Sequence, residues 1–230
     1  MAVSGSKNFE LDVAEYIEEA FERCGLELRT AYDLKTAKRS LNLLLAEWAN
    51  RGLNQWTISQ TSIALTQGTT SYDLDATNPT AVIDVLDAFI RRTTNDTPSD
   101  LQMNQISRSE YAAIPDKTAQ GRPSQYFVDK QITPTIYLYN APENSTDVLY
   151  VNRIMRMDDV DASTDTLQMP FRFYPCLSAG LAYYLSLKKA PERTGMLKQL
   201  YEEEFERALS QDEDRASFRA TPDTRAYDYA

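Results

Sequence analysis

Met169-Pro170-Phe171-Arg172-Phe173-Tyr174-Pro175-Cys176-Leu177-Ser178-Ala179-Gly180-Leu181-Ala182-Tyr183-Tyr184-Leu185-Ser186-Leu187-Lys188-Lys189 is the stretch on which the fold turns. Phe171, Tyr174, Leu177, Leu181, Tyr184 and Leu185 recur at helical spacing. The opposite face carries Phe173, Cys176, Gly180, Tyr183 and Leu187. A helix that is apolar on both faces must be covered on both sides. Pro170 suits a first helical turn, where its missing N–H is no loss. Pro175 follows so closely that an irregular first turn is expected. Gly180 and Ala182 leave room for a neighbouring helix to come near. Arg172 and Lys188 bound a run shorter than the roughly 20 apolar residues a bilayer needs. The stretch therefore reads as a packed core helix, and no membrane association is expected.

Its neighbours are found by following the same period outward. After Pro191 a helix is expected over Arg193–Ser210, striped by Leu197, Leu200, Tyr201, Phe205, Ala208 and Leu209. Glu202, Glu203, Glu204 and Glu206 form its solvated side, and Asp212, Glu213 and Asp214 are expected in solvent. Near the other terminus, Phe9–Cys24 is amphipathic, with Val13, Tyr16, Ile17, Ala20, Phe21 and Cys24 on one face. Gly25 supplies the stop. A second helix is expected over Thr30–Asn50, with Leu34, Ala37, Leu41, Leu44, Leu45 and Trp48 inward and Lys35, Lys38 and Arg39 on the polar side. The second apolar face of Met169–Lys189 packs either against these helices or against another subunit.

Between the two helical ends the period changes to that of strands. Strands are expected over Thr57–Thr66, Ser71–Leu74, Ala81–Thr94, Leu101–Gln105, Gln125–Lys130, Thr135–Asn140 and Asp147–Met157. Asn95-Asp96-Thr97-Pro98 is a turn signal, and Ala141-Pro142-Glu143-Asn144 reads as a hairpin turn. Ser107 with Glu110 three residues later predicts a capped helical turn over Ser107–Ala113. Ile136 and Leu138 face one way and Tyr137 and Tyr139 the other, so this sheet needs cover on both sides. Trp48 and Trp56 are expected to plug the joint. The architecture that follows is α+β: a four-helix layer drawn from 1–56 and 166–210, an inserted antiparallel β-rich domain over 57–165, and an extended C-terminal arm over 211–230.

The totals limit function. The chain has 230 residues and a formal net charge of -10. Acidic surface repels phosphate, which disfavours nucleic-acid wrapping. There is no histidine, which removes the usual general base and the commonest metal ligand. Cys24 and Cys176 imply no disulfide framework, and Met1–Lys7 holds no apolar leader. No phosphate-binding, dinucleotide-binding or nucleophile-elbow motif occurs, and no cofactor is expected. Asp158, Asp159, Asp161 and Asp165 are spaced closely enough for calcium but lack the glycine and terminal glutamate of an EF-hand loop. They read as a solvated loop, and no metal is expected.

Four pieces carry a resemblance. They are Leu43-Leu44-Leu45-Ala46-Glu47-Trp48-Ala49-Asn50-Arg51-Gly52-Leu53-Asn54-Gln55-Trp56, then Gly121-Arg122-Pro123-Ser124-Gln125-Tyr126. Next come Ile136-Tyr137-Leu138-Tyr139-Asn140-Ala141-Pro142, and Pro170 with Ala179-Gly180-Leu181-Ala182. In this order they resemble the head-to-tail adaptors of short-tailed phages, also called tail tubular protein A or head-completion proteins, across Phe9 to Leu209. The resemblance implies a structural virion protein of the neck, assembled in the host cytoplasm and without catalysis. Its partners would be the portal protein, tail nozzle or tail-tube proteins, and copies of itself in a ring of twelve. DNA would pass through the channel without specific binding. The arm would reach the portal or a neighbouring subunit. Phe218, Arg219, Tyr227 and Tyr229 are its expected partner-binding residues, since aromatic and Arg anchors dominate interface energies. Two other functions compete: a carboxylate-based cell-wall hydrolase carried in the virion, and another tail or stopper protein.

Overall fold

A 3-10 turn, Phe171–Phe173, leads directly into helix α4, Tyr174–Lys189, in the computed structural model. The structure describes residues 5, 6, 8–51, 55–94 and 97–212. Pro175 sits in the first turn of α4, which accounts for the irregular start that the two prolines predict.

Helix α1, Val13–Arg23, begins later than the apolar pattern suggests. Asp12 and Glu15 form a reciprocal capping box that sets its start. Gly25, at φ +72°, ends it in the left-handed region. Helix α2 spans Ala31–Arg51, and α5 spans Thr194–Asp212. Both α1 and α2 pack on α4, and α5 packs along it. Their stripes merge into one core that includes Tyr16, Phe21, Leu44, Trp48, Leu181 and Tyr201. The second face of α4 is thus covered within the subunit as far as Tyr183, while Leu187 stands exposed. A Cβ on Gly180 would lie 2.8 Å from Tyr201 Cε2 and 2.9 Å from Leu44 Cδ2. Tyr183 stacks on Tyr201 with centroids 6.1 Å apart.

A second core belongs to two facing sheets. Strands β1 (Ile58–Ala64), β2 (Ser71–Asp73), β3 (Val82–Thr94), β4 (Thr97–Gln102) and β5 (Asn104–Gln105) come first. The capped helix α3, Arg108–Ala113, follows, its Ser107–Glu110 box in place. Then come β6 (Gln120–Gly121), β7 (Gln125–Asp129), β8 (Thr135–Tyr139), β9 (Ala141–Pro142) and β10 (Val148–Met155). One sheet has the order β1-β10-β3-β4 and the other β2-β8-β7-β5. Ile136 and Leu138 are buried against β3 and β10 residues in the shared core. On the outer face, Tyr137 stacks with Phe127 and meets the ring of Tyr111 of α3 at a tilt, so α3 supplies cover there.

Two expectations fail in this region. Ala141-Pro142-Glu143-Asn144 is not a hairpin turn, because β8 and β10 lie in different sheets. The backbone of Ala141–Pro142 instead pairs in parallel with Gln120–Gly121, and the chain crosses between sheets there. Nor is the β region wholly antiparallel, since β5 also pairs in parallel with β7. Of the turn signal at 95–98, Thr97 and Pro98 belong to β4 and pair with Thr94 and Thr93. Residues 95 and 96 lie outside the described residues. The α+β class stands: α1, α2, α4 and α5 build one core, and residues of the two larger sheets build the other.

The acidic loop 158–165 is pinned rather than free. The Asn42 side chain clamps the Val160 backbone in both directions, at 2.9 and 3.2 Å. Val13 and Ala14 donate their backbone N–H groups to Asp165 and Ser163. Asp165 accepts from the backbone N–H groups of Asp161 and Ala162. No group of three potential metal ligands occurs among the described residues.

Candidate functional site

Two polar clusters tie the ends of the helices together. In the first, the Arg51 guanidinium donates to both Glu202 oxygens, at 2.5 and 2.8 Å, and to Glu47. It lies over the rings of Tyr201 and Phe205, at 5.0 and 4.6 Å. The Tyr201 hydroxyl donates to Glu47 at 2.6 Å and accepts from Trp48 Nε1 at 2.8 Å. Burial, then the bond to Glu47, pushes the Tyr201 hydroxyl up from its ordinary pKa. The Arg51 hydrogen bonds hold the Glu202 carboxyl below its usual range. Glu202 is therefore not part of a wholly solvated face. Glu203 and Glu206 are exposed, while Glu202 and Glu204 are half-buried.

The second cluster corrects the expectation that Asp212 lies in solvent. Asp212 is buried at the end of α5. Its carboxylate accepts from the Gln55 backbone N–H at 2.9 Å and from Arg172. The residue that opens the charged run thus fastens α5 to the joint between helices and sheets. Burying a carboxylate is tolerable when hydrogen bonds and a cation satisfy it. Asp212→Ala should lower stability by about 2 kcal/mol, the cost of leaving a buried donor without its acceptor. Urea denaturation measures it, and a loss under about 0.5 kcal/mol, the range of ordinary surface substitutions, would contradict the assignment.

The tryptophans divide their roles. Trp48 sits inside the helical core, against Phe173 and Phe205. Trp56 alone stands at the joint, its ring 4.4 Å from Phe173. Its Nε1 is buried without a partner.

Among the described residues every carboxyl with a displaced pKa is displaced downward: Asp33, Asp75, Asp100, Glu110, Asp116 and Glu202. A glycosidase acid needs displacement upward. Burial pushes the Cys24 and Cys176 thiols up, away from the reactive thiolate. No described helix is long and apolar enough to cross a membrane.

The expected partner-binding residues Phe218, Arg219, Tyr227 and Tyr229 lie outside the described residues. Two exposed surfaces stand out among the described residues, the first of them missed by sequence reasoning. One is a groove between α1 and the start of α4, with Phe9 and Phe171 exposed in it and Glu15, Glu18 and Glu22 along its edge. The other is the outer face of α2, where Tyr32, Lys35, Arg39 and Leu43 stand exposed. Their spacing of three, four and four was visible in the sequence, but mixed chemistry hid it from a search for apolar stripes.

Exposed surfaces that mix charged and apolar side chains are of the kind that docking uses. The chain belongs to the SU10 adaptor protein family, whose model matches residues 11–226, and so to the phage adaptors. The match takes in Phe218 and Arg219 and stops short of Tyr227 and Tyr229. No curated protein matches the chain.

Proposed function

We propose that the protein is a head-to-tail adaptor that forms a ring beneath the portal, extends the DNA channel and offers the tail its attachment platform. The family match across residues 11–226 carries this reading. Charge supports it. A ring of twelve chains at -10 each carries -120, and an acidic wall lets DNA slide without binding. In this arrangement the helices form the ring body and the sheets meet tail nozzle or tail-tube proteins. The segment beyond Asp212 reaches the portal or a neighbouring subunit, with Phe218, Arg219, Tyr227 and Tyr229 as its contacts. The protein resides in the virion neck, and the narrower kinship is with the adaptors of short-tailed phages.

The test is direct. Purified portal mixed with the chain should show an added ring of density by electron microscopy, concentric with the portal channel. Particles indistinguishable from portal alone would overturn the reading.

A further inference from the structure

The groove between α1 and α4 opens close to where α5 ends. Helices α1 and α4 run side by side in the same direction. The ring of Tyr16 meets that of Tyr174 near their starts, and further along the Cys24 thiol donates to the Ala182 carbonyl. Phe9 and Phe171, 62% and 70% exposed, therefore stand at the leading end of the groove. Helix α5 returns along α4 in the opposite direction, from Thr194 beside Ser186 to Asp212 beside Arg172. Asp212 is thus bonded to the residue that follows Phe171, and the sequence continues from there into 213–230.

The edge of the groove is acidic beyond its aromatic end. Glu15, Glu18 and Glu22 are exposed along α1. Glu18 and Glu22 make no ion pair among the described residues. Arg23, at the far end, is engaged by Glu19 at 2.7 Å and leaves the other acids unneutralised. The sequence past Asp212 has the complementary chemistry. After Glu213 and Asp214, Arg215-Ala216-Ser217-Phe218-Arg219-Ala220-Thr221-Pro222 carries two arginines, one phenylalanine and no acid. An extended chain covers at most about 3.3–3.6 Å per residue, so Phe218 lies within about 20 Å of Asp212 and the groove is in reach.

We propose that in the free chain residues 215–222 fold back into the α1–α4 groove of the same molecule. Phe218 packs on Phe9 and Phe171, and Arg215 and Arg219 lie on the acidic edge. The aromatic anchor supplies the affinity, and the charges set its orientation. The short tether gives an effective concentration in the millimolar range, so even a weak contact stays closed. The contact itself is independent of the adaptor reading. Its consequence rests on that reading: Phe218 and Arg219 are withheld from the portal or a neighbouring subunit until binding there releases them.

Cleavage after Phe218 by chymotrypsin, followed by mass spectrometry on the full chain alone, tests this. Protection is the cleavage rate of a synthetic peptide of matching sequence, 213–230, divided by that of the chain. It reports the population of the open form when opening is fast. Wild type is expected to be protected more than about tenfold, and equally across a roughly hundredfold range of concentration, since closure is intramolecular. Phe171→Ala, which removes an exposed ring, reduces protection at least about fivefold, as loss of an anchor should. Glu18→Lys with Glu22→Lys does the same, and so does Arg215→Glu with Arg219→Glu, since like charges then oppose each other. The four substitutions together restore protection, which a damaged fold would not allow. A wild type cut as fast as its peptide, variants protected like wild type, or a combined variant that fails to recover would each overturn the proposal. So would protection that grows with concentration, since the groove would then hold a second copy's segment. No portal is present, so failure here leaves the adaptor reading to the microscopy above, and a failed ring test leaves this contact standing.

Discussion

Gly180→Leu should leave the protein unable to hold its helical layer. A Cβ at this position already falls 2.8 Å from Tyr201 Cε2, closer than real contacts permit. Leu44 could swing its methyl aside, but the tyrosine ring cannot. Its hydroxyl is held by Trp48 and Glu47, one face carries Tyr183 and Arg51 lies over the ring. Overpacking a dense core typically costs about 1–3 kcal/mol for small additions. Gly180→Ala is expected within that range, even after the gain of about 1 kcal/mol in helix propensity. Leucine adds three further carbons to the same clash, and a cost above about 4 kcal/mol is expected, a large share of the total stability of a domain. Gly195 is the control. It lies in the first turn of α5, and a Cβ there meets nothing within 4 Å. Gly195→Ala should be neutral or stabilising by up to about 1 kcal/mol. Thermal and urea unfolding of the three variants decides the matter. Gly180→Leu melting within a few degrees of wild type would show that α4 can step away from α2 and α5.

That prediction starts from a feature visible in the sequence. Gly180 and Ala182 in an apolar helix announced a close neighbour, and the stripes of the other helices supplied the candidates. Periodicity served because hydrophobic burial is non-directional: a stripe needs only some apolar surface to cover it. The sheets were harder. Alternation in β8 set Ile136 and Leu138 on the face opposite Tyr137 and Tyr139, but alternation names neither the inner face nor the strand alongside. The segment at Ala141–Pro142 looks like any polar turn, yet it carries the chain from one sheet to the other. The start of α1 was legible in principle, since Asp12 and Glu15 have the capping-box spacing. The apolar Phe9 drew the boundary outward instead.

Polar residues were the least legible. Asp212 stands in a charged run, and its burial depends on Arg172, forty positions earlier, and on the backbone of Gln55. A carboxylate's environment is decided by such distant partners, which leave no local pattern. Glu202 presents the same difficulty with Arg51. The groove between α1 and α4 was missed for a related reason: it mixes exposed apolar and charged residues, and a surface helix with charges reads as solvated. Lys35, Lys38 and Arg39 were on view as a basic group, but the exposed Tyr32 and Leu43 that flank them were not.

Trp48→Ala should be the most damaging truncation in the helical core. The indole is fully buried, contacts Phe173 and Phe205, and donates its N–H to the Tyr201 hydroxyl. Removing a buried Trp side chain costs about 3–5 kcal/mol, through lost transfer energy and an unfilled cavity. The surroundings have little freedom to collapse inward. Phe173 is held between Trp48 and Trp56, and Tyr201 remains bonded to Glu47. The upper part of that range is therefore expected. Trp48→Phe separates the contributions. It keeps most of the apolar volume and loses the N–H donor, so a smaller loss of about 1–2 kcal/mol is expected, of the size of one buried hydrogen bond. Because Phe173 joins Trp48 to Trp56, the alanine variant should also disturb the joint. Trp56 fluorescence should then shift toward that of a solvated indole, before global unfolding. Equal stability of the alanine and phenylalanine variants would assign the whole effect to the hydrogen bond. A red shift that appears only with unfolding would confine the role of Trp48 to the helical core.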